Sequence, residues 1–232
     1  MFPIGDTNVR GKGPGYLTIG LIIVNVLIFI FQLTMSLPEL EAFFYQYGVQ
    51  PVEIVAGEDL HALVTSMFLH GGWAHLIGNM LFLWVFGDNI EVTLGRLLFL
   101  VFYMAGGFAA SAAHIMVDTG SAIPSIGASG AIAAVLGAYV VMFPRSQVKL
   151  AILSFYGFWI TRVTAILFLG IWFLMQFFIG LASLGVPTQQ TSGIAFWAHI
   201  GGFVFGLLVG FLARGRARTL QFEQDNAYRV RY

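Results

Sequence analysis

A serine and a histidine each lie near the start of a strongly apolar segment of this sequence. Ser129 belongs to the run Gly-Ala-Ser-Gly, and His199 to the run Phe-Trp-Ala-His-Ile-Gly-Gly. A serine hydroxyl becomes an effective nucleophile when a base within hydrogen-bond reach accepts its proton, and histidine suits this task because its pKa is near neutral. These residue types predict acyl transfer, with Ser129 as nucleophile and His199 as base, provided that the fold brings them together.

A second polar pair, His75 and Asn79, lies near the start of another apolar segment. Their four-residue spacing would place both side chains on one face of a helix. Both side chains can donate a hydrogen bond to an oxyanion, and donors placed where negative charge develops often contribute most to catalysis. We therefore expect them to stabilise the transition state, together with the free backbone N–H groups at the start of the helix that carries Ser129. A structural hydrogen-bonded pair is the alternative.

The composition indicates that the helices carrying these residues cross a membrane. Apolar residues make up 58% of the 232 residues and charged residues 9%, whereas a soluble domain has about 25% charged residues. Several uncharged stretches are about 20 residues long, enough to cross a hydrocarbon core as helices. The predicted fold class is an all-α polytopic membrane protein, a bundle of six transmembrane helices at about 16–35, 73–90, 97–117, 126–143, 163–184 and 193–213.

The charges predict the arrangement of this bundle in the membrane. Residues 16–213 would form one membrane domain between an N-terminal tail, 1–15, and a basic C-terminal tail, 214–232, with 36–72 as a long first outer loop. All 11 Lys and Arg residues fall on the side that holds both tails. The positive-inside rule assigns this side to the cytoplasm. We expect an integral protein of the cell (plasma) membrane, with both termini cytoplasmic and its site opening toward the outer face.

Depth and spacing predict which helix faces meet. The second, fourth and sixth spans begin at the outer face, so the rise of 1.5 Å per residue places all four polar side chains within about 9 Å of that face. Small residues recur at steps of three or four on the fourth and sixth spans, which allows close helix approach. The expected packing glycines at the site are Gly127, Gly130, Gly202 and Gly206. Since no Asp or Glu lies at this depth, we expect a serine–histidine dyad without a metal.

Taken together, these motifs resemble those of the rhomboid family of intramembrane serine proteases. The resemblance covers about residues 64–210, most of the chain, in the right order and spacing. It is carried by Gly127-Ala128-Ser129-Gly130 for G-x-S-G, His75 and Asn79 for H-x-x-x-N, Ala198-His199 with Gly202 and Gly206 for A-H-x-x-G-x-x-x-G, and Gly87, Glu91 and Gly95 for G-x-x-x-E-x-x-x-G.

The resemblance implies a six-helix rhomboid-like core and a Ser129–His199 dyad with an oxyanion site at His75 and Asn79. It implies cleavage of single-span or other transmembrane proteins within the lipid bilayer, with no cofactor, metal or nucleic acid. Two positions depart from the family. His61 and Ala62 stand where many rhomboids have Trp-Arg, which removes a usual anchor of the first outer loop. Ala133 stands where some members carry an aromatic ring under the histidine, so His199 must be oriented in another way.

Two other classes of function fit a polytopic membrane protein. An inactive rhomboid-like protein that binds membrane segments usually lacks the serine or the histidine, and this sequence has both. A small transporter is expected to show repeated halves or interrupted helices in corresponding positions, and the sequence shows neither. Zinc binding by the histidines is disfavoured because no carboxylate is available at their depth.

Overall fold

The structure, a computed structural model, describes residues 2–7, 15–154, 157–184 and 195–229. Most of them are helical. The helices are α1 (Tyr16–Gln32), α2 (Leu37–Tyr47), α3 (Pro51–Ala56), α4 (Ala62–Thr65), α5 (Trp73–Leu94), α6 (Arg96–Val117), α7 (Ser129–Met142), α8 (Ala165–Ser183) and α9 (Phe196–Arg229), with a 3₁₀ turn at Ser66–Phe68. The strands are β1 (Phe2–Asp6), β2 (Gln147–Ser154) and β3 (Gly157–Thr164).

A helix coincides with each of the six predicted spans, although residues 163–164 of the fifth belong to β3 and residues 193–194 of the sixth lie outside the described part. Three described helices are long and apolar enough to cross a membrane, namely α6, α8 and residues Phe196–Leu220 of α9. The apolar helices α1 and α7 are shorter, and polar side chains such as Asn79 and Glu91 reduce the hydropathy of α5. The structure is a mostly helical membrane fold, and the number of six spanning helices stays a prediction.

The expectation of an all-α fold is wrong in one respect, because three strands form a small antiparallel sheet in the order β1-β2-β3. Strand β1 pairs with β2 from Phe2 opposite Ala151 to Asp6 opposite Val148. Strand β2 pairs with β3 along their whole length. The residues of β3, Gly-Phe-Trp-Ile-Thr-Arg-Val-Thr, are mostly β-branched or aromatic, which favours an extended strand over a connecting loop. The sheet brings the N-terminal residues against the connection between α7 and α8.

At the same end of the bundle, α5 caps the first turn of α1. The Glu91 carboxylate accepts hydrogen bonds from the backbone N–H of Leu17 at 3.0 Å and of Thr18 at 2.8 Å. These are N–H groups that have no partner within their own helix. A Cβ added at Gly87 would lie 2.9 Å from Cγ2 of Thr18, so the glycine permits the close contact of the two helices. The motif of Gly87 and Glu91 therefore joins α1 to α5, away from the polar groups on α7 and α9.

The centre of the fold is α7, whose residues are nearly all buried between α6 and α9. Two glycines of α9 pack directly on the backbone of α7. A Cβ added at Gly206 would overlap the carbonyl oxygen of Ala134, and one added at Gly202 would overlap that of Gly130. On the other side, a Cβ added at Gly130 would overlap the Ala110 side chain of α6. The contacts of Gly202 and Gly206 with backbone atoms of α7 set the distance between α7 and α9.

Candidate active site

Ser129 is the first residue of α7, which begins three residues later than the predicted span because of the conformation of Gly127. Gly127 has φ of +123°, a value that favours glycine, and its N–H donates to the carbonyl of Ser66 at 2.8 Å. A Cβ at this position would also lie 2.7 Å from Nε2 of His75. The glycine thus turns the chain into α7 and leaves room for the histidine beside the serine.

His199 lies in the first turn of α9 and reaches the serine across the glycine contact. Its Nε2 is 2.8 Å from Oγ of Ser129, a distance typical of a hydrogen bond. Its Nδ1 is 2.7 Å from Oε1 of Gln176 on α8. Because an amide oxygen can only accept, this assignment places the proton of a neutral imidazole on Nδ1. Nε2 is then left with a lone pair directed at the serine hydroxyl.

Helix α8 also provides an aromatic neighbour for His199, a role that the residue at position 133, here an alanine, has in some rhomboids. The ring centroid of Trp172 lies 5.9 Å from that of His199, and Trp172 precedes Gln176 by one helical turn. Residues four apart share a helix face, so ring and amide hold the imidazole from the same side. The sequence interpretation missed both residues. Gln176 has a recognisable signal, since it is the one amide in the apolar run of α8 and polar side chains in membrane helices usually have a role.

His75 and Asn79 lie one turn apart on α5 and line the same cavity as Ser129 and His199. The N–H of Gly71 donates to Nδ1 of His75 at 3.4 Å, which leaves the proton of a neutral ring on Nε2. A Cβ added at Gly127 would lie 2.7 Å from this Nε2 and 3.7 Å from Nδ2 of Asn79. Two nitrogen atoms that can donate hydrogen bonds thus lie close to the backbone just before Ser129.

A third histidine, His70, holds the Asn79 amide in place. Nδ2 of Asn79 is 3.0 Å from Nε2 of His70. Burial, followed by repulsion from His75, lowers the pKa of His70 to about 4, so its ring is neutral and Nε2 can accept this hydrogen bond. The backbone of His70 is itself fixed, because its carbonyl and N–H pair with the Gln32 amide of α1 at 2.9 and 3.1 Å.

The first outer loop is folded over this region and is anchored without the usual Trp-Arg pair. Val49 forms a two-way backbone bridge with Ser125, with N···O distances of 2.9 and 2.8 Å. The Thr65 hydroxyl donates to the carbonyl of Tyr47 at 2.8 Å. His61 contributes a contact of 3.0 Å between Nε2 and the carbonyl of Gln46. The bridge of Val49 and Ser125 attaches the loop to the segment that leads into Ser129, and the other two hydrogen bonds connect parts of the loop to each other.

The structure brings the four predicted polar residues to one cavity of about 650 Å³. Its walls are largely apolar and include Trp172, and none of the described residues that line it is a carboxylate. A cavity of this size and character is typical of a binding site for an organic ligand or a short chain segment. Among the residues that the structure describes, no three His, Cys, Asp or Glu side chains are grouped closely enough to hold a metal ion. The arrangement is suited to nucleophilic attack on a carbonyl group.

Fold and site define an integral membrane protein with a serine–histidine pair inside a helical bundle. The sequence of residues 57–216 matches the family profile described as the Rhomboid domain, which is more than half of the chain. The chain belongs to the rhomboid family, a family of proteases.

Similar curated proteins come from eukaryotes and bacteria. "Rhomboid protein 1, mitochondrial" of Saccharomyces cerevisiae is 28% identical over 90% of this chain and 58% of its own length. "Rhomboid protease GluP" of Bacillus subtilis is 31% identical over 73% of this chain and 34% of its own length. "Presenilin-associated rhomboid-like protein A, mitochondrial" of Danio rerio is 29% identical over 62% of this chain and 35% of its own length. The chain therefore spans between about a third and three fifths of the length of these relatives.

Proposed function

We propose that this protein is an intramembrane serine endopeptidase that cleaves transmembrane segments of other membrane proteins. The observation that carries the proposal is the contact of 2.8 Å between Nε2 of His199 and Oγ of Ser129. Membership of a protease family and a relative named as a rhomboid protease support it. Ser129 and His199 are the proposed catalytic residues, and the reaction needs no cofactor or metal.

In the first step, Oγ of Ser129 attacks the carbonyl carbon of the scissile peptide bond and its proton moves to Nε2 of His199. Oε1 of Gln176 accepts the hydrogen bond from Nδ1–H and stabilises the imidazolium that forms. The carbonyl oxygen becomes an oxyanion. Nε2–H of His75, Nδ2–H of Asn79 and the backbone N–H of Ser129 are the proposed donors to it.

In the second step, the protonated His199 gives its proton to the leaving amine, and the C–N bond breaks to leave an acyl-enzyme on Ser129. A water molecule then loses its proton to His199 and attacks the ester carbonyl. The same three donors stabilise the second oxyanion. Collapse of this intermediate releases the carboxylic acid product, and the proton returns to Oγ of Ser129.

A fluorophosphonate probe tests this proposal, because it forms a covalent bond with an activated serine. The purified wild-type protein should be labelled in proportion to time, whereas Ser129→Ala and His199→Ala should not be labelled. A matched control is Ser111→Ala, which removes a serine that also lines the cavity and should leave labelling unchanged. Labelling of Ser129→Ala at the wild-type rate would exclude Ser129 as the nucleophile.

The alternative functions have less support. An inactive rhomboid-like protein that only binds membrane segments has no need for a serine and a histidine in hydrogen-bond contact, nor for an amide that orients the imidazole. For a small transporter, the sequence offers no repeated halves with interrupted helices. The fluorophosphonate experiment separates both alternatives from the protease.

The placement in the membrane is also a proposal. We propose six spanning helices in a cell membrane, with the termini in the cytoplasm and the cavity open to the outer side, because the predicted spans assign all 11 Lys and Arg residues to one side. The charges support the orientation, whereas the cell membrane is a separate part of the proposal, and several relatives are mitochondrial by name. The chain contains no cysteine, which allows a clean test. Glu58→Cys should react with an impermeant thiol reagent from outside intact cells, and Arg216→Cys should not.

A further inference from the structure

A second cavity, of about 570 Å³, lies at the other end of α7 from the Ser129–His199 pair. It is bordered by the end of α7 at Met142, the segment that follows it, and α9. Thirteen residue steps of α7 separate Ser129 from Met142, which corresponds to about 20 Å along the helix. We call this cavity the arginine pocket, because Arg145, Arg214 and Arg218 line it. It is separate from the proposed catalytic site.

None of the described residues around the arginine pocket neutralises its three guanidinium groups. Within the described part of the chain, no acidic side chain lines the pocket and none of the three arginines forms an ion pair. Arg214 and Arg218 are one turn apart on the same face of α9, a spacing at which like charges repel. An anion placed between them would remove this repulsion.

Asp6, which is next to the pocket residue Thr7 in the sequence, has its carboxylate bound to other residues. This carboxylate accepts hydrogen bonds from the Tyr139 hydroxyl and from Nδ2 of Asn89. Thr7 adds a donor instead. Its Oγ1 accepts the backbone N–H of Gln147 at 3.1 Å, and a hydroxyl in this position can also donate its hydrogen to a ligand. Guanidinium groups and this hydroxyl together form a donor set suited to an anion.

The surroundings of the pocket indicate the kind of anion. Arginine is the preferred partner of phosphate, since its planar fork donates two parallel hydrogen bonds. On α9, the turn just before Arg214 carries strongly exposed apolar side chains, with Leu212 88% exposed and Phe211 61% exposed. A soluble anion gains nothing from these apolar side chains, whereas a lipid would contact the arginines with its headgroup and the apolar side chains with its acyl chains. Basic pockets between membrane helices commonly bind phospholipid headgroups.

We propose that the arginine pocket binds the phosphate headgroup of an anionic phospholipid, while the acyl chains of the lipid lie along the apolar surface of α9. The bound headgroup joins the segment after α7 to α9 at the end of the helix pair that carries Ser129 and His199. Because the lipid binds the folded protein, it raises thermal stability by mass action. The site is distinct from the proposed protease chemistry and does not depend on it.

The test is a titration of the purified full-length protein in neutral detergent, followed by thermal unfolding. The probes are dioctanoyl phosphatidylglycerol, dioctanoyl phosphatidylcholine and inorganic phosphate. Phosphatidylglycerol should raise the melting temperature with a saturable dependence, and phosphatidylcholine should not. If inorganic phosphate binds as tightly as phosphatidylglycerol, the ligand is a soluble phosphate and the lipid proposal is overturned. Equal effects of the two lipids would overturn it as well.

Single Arg-to-Gln substitutions on α9 each remove one positive charge, either inside or outside the pocket, and can therefore be compared directly. Arg214→Gln and Arg218→Gln should each weaken the apparent binding of phosphatidylglycerol by about fivefold, as expected for one basic group near an anionic lipid. Arg216→Gln removes the same charge from an exposed residue that does not line the pocket, and should change binding less than twofold. Arg214→Lys keeps the charge but not the planar fork, so it should weaken binding less than Arg214→Gln does. Equal losses in all three glutamine variants would show a diffuse surface effect and contradict the proposal.

Discussion

Helices α7 and α8 both contact α9 near the candidate active site, but they do so in different ways. Nearly every residue of α7 is buried, and glycines bring its backbone against that of α9. In α8 the buried residues are Ala165, Leu169 and Gly180, and its contact with α9 is made by side chains, such as the stacked rings of Phe173 and Phe203 at 4.6 Å. A backbone contact cannot adjust by rotation of side chains, whereas a side-chain contact can.

The two contacts therefore position the catalytic groups in different ways. The α7–α9 contact sets the distance between Ser129 and His199, and the α8 contact, through Trp172 and Gln176, sets the orientation of the imidazole. A change in the first contact should therefore separate the reacting groups and destabilise the fold. A change in the second should leave the fold intact and reduce the rate. The predictions that follow test this division, in order of decreasing effect.

The largest effect is expected for Gly206→Leu at the α7–α9 contact. A side chain there would overlap the carbonyl oxygen of Ala134 and push the two helices apart. The expected results are loss of activity and a decrease in stability of about 3 kcal/mol, at the upper end of the range for overpacked sites. Thermal unfolding and substrate cleavage measure them. The control is Val204→Leu, at an exposed position of the same helix. Equal tolerance of both substitutions would show that the glycine contact does not hold the pair together.

A smaller effect is expected for Asn79→Ala, which removes one proposed oxyanion donor and leaves the α7–α9 contact unchanged. Since the donor acts on charge that exists only in the transition state, kcat should fall by about 10²-fold with little change in KM. Stability should change little by comparison, because the α7–α9 contact is unchanged. The fluorophosphonate should still label Ser129, although more slowly. Loss of thermal stability and labelling together would instead assign Asn79 a structural role.

The smallest effect is expected for Gln176→Leu, which removes the acceptor of Nδ1–H and keeps the volume of the side chain. The imidazole can then adopt other orientations and tautomers, so kcat should fall by about tenfold while KM and the melting temperature stay close to wild type. Gln176→Glu retains an acceptor and should preserve most of the activity. Met175→Leu, at an exposed neighbouring position, is the control. A melting temperature that falls in parallel with kcat would contradict a purely orienting role.

The sequence was sufficient for the elements that depend on hydrophobicity and local spacing. Apolar runs located the long helices, and α7 begins only three residues from the predicted span, where the conformation of Gly127 delays it. The small sheet was missed because Lys149 and Arg162 interrupt the apolar pattern of its strands. Pairing of β1 with β2 depends on contacts between residues far apart in the sequence, and local pattern carries no information about them.

For the candidate site, the motifs and the expected depth in the membrane predicted the four polar residues, but not the groups that orient them. Ser129, His199, His75 and Asn79 belong to recognisable spacings, whereas Gln176 is a single amide without a motif. The partner of Gln176 becomes evident only when α8 and α9 are placed side by side. The arginine pocket was missed for the same reason, because Arg145 and Arg214 come together only in the folded chain.

The most direct test of the account is cleavage of a reporter with a single transmembrane helix by the purified protein in liposomes. The wild-type protein should produce two fragments cut within the transmembrane segment. Ser129→Ala should give none, with insertion and melting temperature like those of the wild type, and His199→Ala should behave in the same way. If Ser129→Ala, free of other proteases, formed the same fragments at the wild-type rate, the proposed Ser129–His199 chemistry would be wrong.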